Sequence, residues 1–275
     1  MAQRTGVPAD TLRKWEQRYG VLQPMRTAGG QRRYSERDVA RLQWLCARLA
    51  EGYRIGEAAA LLGTLDPSGT VDPRDHVNAI LAAVDECRPA EIAQRLDQAF
   101  ALNRLDVVLT DIVAPLLREI GHRWQEGLIS VAEEHLVTQA VRARLGHLLA
   151  DTGGGVRGVT VLACAPGERH ELGLMIWAIA LRADGWKVDY LGPDTPLEDA
   201  FALAQRRAAR ILCVSLTLEA RAPDVERSIA ELDRGGVELV VGGRGASPEL
   251  AARIGAHYLP GDLREAVGAL RRFAA

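Results

Sequence analysis

The sequence predicts a multidomain chain, all-α in its first half and α/β in its second. Three observations carry this. Residues 1–63 are basic, with short helical stretches around a Gly-Gly turn. Residues 76–150 place apolar side chains at three-and-four spacing, and from Gly153 short apolar runs alternate with helix-like stretches. A length of 275 residues suggests two or three domains, and 48% hydrophobic residues suffice for proper cores. There is no long unbroken apolar run and no charged-then-apolar leader pattern, so a cytoplasmic protein without a membrane span is expected. Cys46, Cys87, Cys164 and Cys213 lie far apart without CxxC spacing. They read as small reduced core residues, neither a disulfide framework nor a zinc site.

The opening segment holds eleven Lys/Arg against six Asp/Glu, and the remainder twenty-three against thirty. A basic head on an acidic body points to nucleic-acid contact by the head; chance clustering of charge is the alternative. VPADTLRKWEQRYGVL (7–22) carries Leu12, Trp15 and Tyr19 at helical spacing, with Arg13, Lys14 and Arg18 among them. Such a helix buries its apolar residues and offers cations to a major groove. In RTAGGQRRYSERDVARL (26–42), Gly29-Gly30 supplies the positive-φ corner of a hairpin flanked by Arg26, Arg32, Arg33 and Tyr34. Ser35 with Asp38 then starts another helix. A hairpin wing bearing arginines beside a recognition helix is a DNA-binding arrangement, because guanidinium groups clamp phosphates. Arg13, Lys14, Arg18, Tyr19, Arg26, Arg32, Arg33 and Tyr34 are the candidate contacts.

We place this head at 1–65. The Pro/Gly-rich stretch LGTLDPSGTVDPRD (62–75) puts a linker at 66–75. Residues 76–152 form a bundle of four helices, interrupted near Cys87–Pro89, Asn103 and Gly127–Ser130. Gly127 stops one helix, and Ser130 with Glu133 caps the next. In 153–275, apolar runs at 158–164, 187–191, 211–216, 238–242 and 256–259 read as five parallel strands of a flavodoxin-like, Rossmann-like doubly wound domain. Its ligand site lies beyond the C-terminal strand ends, at the switch point.

The first of these strands runs into Glu168-x-His170-x-x-Gly173. A loop His can offer one ring nitrogen to a metal while the other donates to a carboxylate, here Glu168. Gly173 leaves room for a bulky ligand. Alone, the pattern also describes a surface-loop His followed by an ordinary helix. Ser215-x-Thr217 follows the third strand and Gly242-Gly243 the fourth. His76, His122, His147 and His257 lack such surroundings and are assigned no metal role.

Two resemblances emerge from these residues. TGVPADTLRKWEQRYGVLQPMRTAGGQRRYSERDVARL (5–42) resembles the winged helix-turn-helix of MerR-type transcription regulators. Members of that family begin earlier, with a short strand and most of a first helix. This chain keeps only AQRTG (2–6), so a partial winged helix-turn-helix is expected. The second half resembles the cobalamin-binding domain of methionine synthase and the cobalamin-dependent mutases, in which D/E-x-H-x-x-G precedes S-x-L/T and then Gly-Gly. That resemblance implies cobalt ligation by His170 from below. Ser215, Thr217, Gly242 and Gly243 would then line the pocket for the displaced nucleotide tail.

In the bundle, Trp124 is followed after nine residues by Glu134-His135. This resembles the hallmark of the CarH and LitR photoreceptor regulators, whose other two parts are those already read. The resemblance implies an adenosylcobalamin-dependent, light-sensing repressor, a dark homotetramer on double-stranded operator DNA that light dismantles. It also implies that Trp124 stacks on the adenosyl group, Glu134 hydrogen-bonds its sugar and His135 supports the pocket. Light-responsive members place His directly after the Trp to capture cobalt after photolysis. Gln125 stands there in this chain, so that adduct is not expected; His122 and His135 are the nearby imidazoles that could substitute. Two other functions fit parts of the chain: a corrinoid component of a methyltransferase system, or a MerR-type regulator that needs no cofactor.

Overall fold

The computed structural model describes residues 5–26, 32–50, 53–65, 72–150, 155–230 and 232–273. It divides into two compact units, Met1–Val141 and Arg142–Ala275.

In the first unit, α1 (Ala9–Tyr19) ends at Gly20, whose φ of 64° lets its N–H turn back to the Glu16 carbonyl. The two-residue strands β1 (Met25–Arg26) and β2 (Arg32–Arg33) pair antiparallel as a wing. Gly29-Gly30, read as the wing's corner, lies outside the described residues, as do the side chain of Arg26 and linker residues 66–71. Helix α2 (Glu36–Ala50) opens on a capping box. The Asp38 amide donates to Ser35 Oγ (3.1 Å), and Ser35 N donates to Asp38 Oδ2 (2.8 Å). Asp38 is buried and also accepts from Gln23 N at 2.8 Å, tying the start of α2 to the chain after α1. With α3 (Ile55–Leu65), these helices bury Leu12, Leu22, Leu42, Leu45 and Leu62 in one cluster.

That cluster includes Ala101 of α5 (Pro89–Leu102), against which α2 packs. Helix α4 (Pro73–Asp85) starts with Asp72 accepting from Arg74 N, with Pro73 at its first position, where no N–H is needed. The next helical stretch runs from Leu105 to Gln125 in three parts: α6 (Leu105–Val107), a π-helical turn (Val108–Val113) and α7 (Ala114–Gln125). Periodicity alone gives no sign of the π turn. Its cause is local: Pro115 has no N–H to donate and its ring crowds the carbonyl four residues back, so the ladder shifts there. Helix α8 (Val131–Ala150) completes the four-helix bundle. Among the described residues, no helix is long and apolar enough to cross a membrane.

In the second unit, β3 (Val159–Cys164), β4 (Lys187–Gly192), β5 (Ile211–Ser215), β6 (Glu238–Gly242) and β7 (His257–Tyr258) form a parallel sheet in the order β4-β3-β5-β6-β7. Strand residues alternate between its faces. Val161, Ala163, Leu212, Val214 and Val241 pack under α10 (Leu197–Arg206), α11 (Ala222–Ile229) and α12 (Pro248–Arg253). Leu162, Cys164, Ile211, Cys213 and Val240 pack under α9 (Leu172–Ala183) and α13 (Leu263–Leu270). The order makes the fold flavodoxin-like, with its switch point between β3 and β5.

All four cysteines are free. Cys164 and Cys213 are core residues as expected, and Cys46 is half-buried. Cys87 corrects the reading: it is exposed, at the α4–α5 turn with φ of 51°. A tight turn needed a left-handed residue there, and its side chain points away from the core.

His76, at the start of α4, is buried, with Nε2 3.0 Å from the Asn103 amide, which also donates to the Ala99 carbonyl. Burial pushes the imidazole below its usual value; Asp75 opposes this and Arg95 adds to it. The unfolded chain takes up the proton near pH 6.5, before the folded one does. Stability from this site should be complete above about pH 6.5 and decline as pH falls toward the depressed folded value. Urea midpoints measured on either side of that pH should fall with acid, and His76→Gln should flatten the dependence.

Candidate functional site

The loop after β3 is organised by Glu168, whose side chain is fully buried. Its Oε1 accepts from the backbone N of His170 (2.9 Å) and lies 2.6 Å from His170 Nδ1. Its Oε2 accepts from the backbone N of Thr217 (2.8 Å) and Leu218 (2.9 Å), just beyond β5. Burial raises the carboxyl pKa, but the His170 backbone, the imidazole and the two amides beyond β5 more than reverse this and hold it below its usual value. Glu168 is therefore a carboxylate, and the imidazole donates to it through Nδ1. This leaves the Nε2 lone pair available on a ring 58% exposed. That is the donor a metal needs, with a carboxylate behind it.

The other predicted residues surround this loop in different ways. A Cβ on Gly173 would meet nothing within 4 Å, so the start of α9 is open. Ser215 closes β5 and accepts from Ala165 N at 2.9 Å. Thr217 acts through its backbone amide on Glu168. A Cβ on Gly242 would lie 3.5 Å from Trp177 and Leu259, an ordinary contact. Gly243, with φ of 106°, would place a Cβ 2.3 Å from the Leu216 carbonyl, so its backbone runs against the β5 loop. Gly245 is as tightly placed, its Cβ position 2.7 Å from Glu219 N, and sequence reading missed it. The second half of G-G-x-G was the available signal. Asp194, also missed, accepts from Gly167 N at 2.7 Å and supports the loop from beyond β4.

In the bundle, Trp124 is 48% exposed on the last turn of α7, so it is no core residue. Gln125 beside it is exposed as well. The chain then turns through Gly127 (φ 69°), with Gly127 N donating to Trp124 O and Leu128 N to Arg123 O, both hydrogen bonds of a Schellman motif. Ser130 and Glu133 form the reciprocal cap of α8. Glu134 and His135 follow at once, His135 Nε2 lying 3.5 Å from Glu134 Oε2. Leu128 (71%), Val131 (52%) and Leu136 (37%) are exposed around this turn. Apolar exposure on that scale, beside an acid and an imidazole, suits a ligand or partner better than water.

In the head, Lys14 and Arg33 are exposed, Arg13 is paired with Asp10, and Arg18 lies 5.5 Å over the Tyr19 ring. Arg32 is turned inward: its Nε donates to Glu16 Oε2 at 2.7 Å, with both side chains largely buried. Tyr34 packs against the head core. These two brace the wing on α1 and leave Arg13, Lys14, Arg18 and Arg33 to face outward.

The fold and the site define a corrinoid-binding protein joined to a helix-turn-helix head. Residues 158–271 match the family "B12 binding domain", residues 77–149 match a second family of that description, and residues 1–65 match "MerR HTH family regulatory protein". The chain is 35% identical to the HTH-type transcriptional repressor CarH of Myxococcus xanthus, across 95% of this chain and 93% of that protein. It is 32% identical to CarA of the same organism, across 94% and 90%. The solved monomethylamine corrinoid protein of Methanosarcina barkeri superposes with a TM-score of 0.62 at 17% identity, covering 72% of this chain and 98% of that one, a likeness of fold. The chain belongs to the CarH/CarA family of cobalamin-binding, HTH-type transcriptional regulators.

Two substitutions probe this architecture. Gly243→Ala meets both a forbidden φ and a backbone carbonyl, and should destabilise by at least about 3 kcal/mol in urea unfolding. Glu168→Gln turns an amide NH2 toward groups that donate. It should cost about 2–3 kcal/mol of stability and lower cobalamin affinity by roughly 10- to 100-fold in titration.

Proposed function

We propose that this regulator is a cytoplasmic photoreceptor that takes up adenosylcobalamin and, as a homotetramer in the dark, holds double-stranded operator DNA. The observation that carries this reading is Trp124, half exposed beside Glu134 and His135 on a turn secured at both ends. The residues fit the cofactor. Glu168 fixes Nδ1 of His170, so that Nε2 would hold cobalt, and the open start of α9 at Gly173 would leave room for a macrocycle. Ser215, Thr217, Gly242 and Gly243 line the side where the nucleotide tail goes. Trp124 stacks on the adenosyl group, Glu134 accepts from its sugar hydroxyls, and His135 supports Glu134.

When bound, the cofactor supplies a cobalt–carbon bond that light breaks. Trp124 would lose its packing partner once that bond is broken, and the bundle's preferred arrangement would change with it. Gln125 offers only a carboxamide, a poor cobalt ligand, so no second imidazole closes from that position. Arg13, Lys14, Arg18 and Arg33 supply the outward charge for phosphate and groove contacts, with Tyr19 beside Arg18 and Arg26 on the wing; Arg32 and Tyr34 hold the wing in place.

The test is to reconstitute the purified chain with adenosylcobalamin in darkness, then record absorbance and elution volume before and after green light. A spectral change accompanied by loss of a larger species is expected, and His170→Ala should abolish both. Binding with an unchanged elution volume would remove assembly as the output. A wild-type chain that takes up no cobalamin would end the reading.

A further inference from the structure

The residue immediately after His170 is tied to two other elements. Glu171 stands at the start of α9, and its side chain makes no bond to its own helix. Its side chain is only 12% exposed and turns elsewhere. Oε2 accepts from the Tyr190 hydroxyl on β4 at 2.7 Å, and Oε1 is paired with the guanidinium of Arg142. The His170 loop therefore has two anchors, Glu168 on the β5 side and Glu171 on the β4 side.

Arg142 belongs to α8, the helix that opens with Glu134 and His135. Seven residues separate His135 from Arg142, which at about 100° per residue returns to within roughly 20° of the same face, about 10 Å further along the axis. A single hydrogen-bonded helix thus carries the residues assigned to the adenosyl group at one end and, two turns on, a cation bound to the neighbour of the cobalt ligand. We propose that Glu171, Tyr190 and Arg142 form a positioning latch that makes α8 part of the anchorage of the His170 loop, so that loss of contacts at Glu134 is felt at the lower ligand. Glu171 and Arg142 touch neither cobalt nor the adenosyl group; they act through His170 and α8. The proposal rests on the adenosylcobalamin reading above.

Such a latch couples upper-face binding to the loop, and a coupling can be measured as a ratio. Affinities for adenosylcobalamin and for hydroxocobalamin are to be determined in darkness on the full chain, for wild type, Arg142→Ala, Arg142→Lys and Tyr190→Phe. Hydroxocobalamin has no adenosyl group for α8 to hold. We expect the preference for adenosylcobalamin to fall about five- to tenfold in Arg142→Ala and in Tyr190→Phe, and to recover in Arg142→Lys. A role confined to fold stability would weaken both cobalamins alike, and that result, or an unchanged ratio, overturns the latch. Tyr190→Phe removes one hydroxyl and keeps the ring, so the test survives if Arg142→Ala folds poorly. Failure of wild type to bind either cobalamin would instead remove the cofactor reading, and the latch with it.

Discussion

Removing a carboxylate from water costs several kcal/mol unless its lone pairs are met. Glu168 is met by three backbone amides and one imidazole, so each oxygen has two donors. Those donors come from two loops, one after β3 and one after β5, which lie side by side at the switch point of the sheet. The same charge that pins the loops together sets the tautomer of His170. Orientation of the imidazole and the pairing of the two loops are thus one interaction. A neutral side chain there would leave donors unanswered in a dry environment.

Elsewhere the chain positions side chains by the same economy, using ends of elements rather than their middles. The α7–α8 turn is closed by a Schellman motif on one side and a capping box on the other, which places Trp124 and Glu134 within a short, defined span. The wing is held by Arg32 on Glu16, and α2 by Asp38 on Gln23 and Ser35. In each case a charged group is spent on geometry. Arg33 and Lys14 in the head and His170 in the α/β unit are left exposed.

Much of this was legible in the chain itself. Short apolar runs marked the five strands to within a residue or two, because a strand covered on both faces is apolar at nearly every position. Ser-x-x-Glu/Asp and Gly located the helix ends, because caps are satisfied within a few residues. Glu168 behind His170 was readable for the same reason: donor and acceptor are two positions apart. The π turn was not legible, since Pro115 marks a place where the ladder must adjust without saying how. Nor was the exposure of Cys87, which follows from a left-handed turn.

What only the tertiary structure decided involves partners distant in sequence. Arg32 looked like a phosphate contact until the wing folded onto Glu16, sixteen residues earlier. Glu171 carried no signal in the sequence; β4 brought Tyr190 to it and α8 brought Arg142. That Gly243 runs against the Leu216 carbonyl was likewise decided by the fold, which brings the β5 and β6 loops together. Local periodicity and capping are written into neighbouring residues. Which charge meets which across tens of positions depends on where the sheet order and helix packing carry them, and a linear pattern holds no record of that distance.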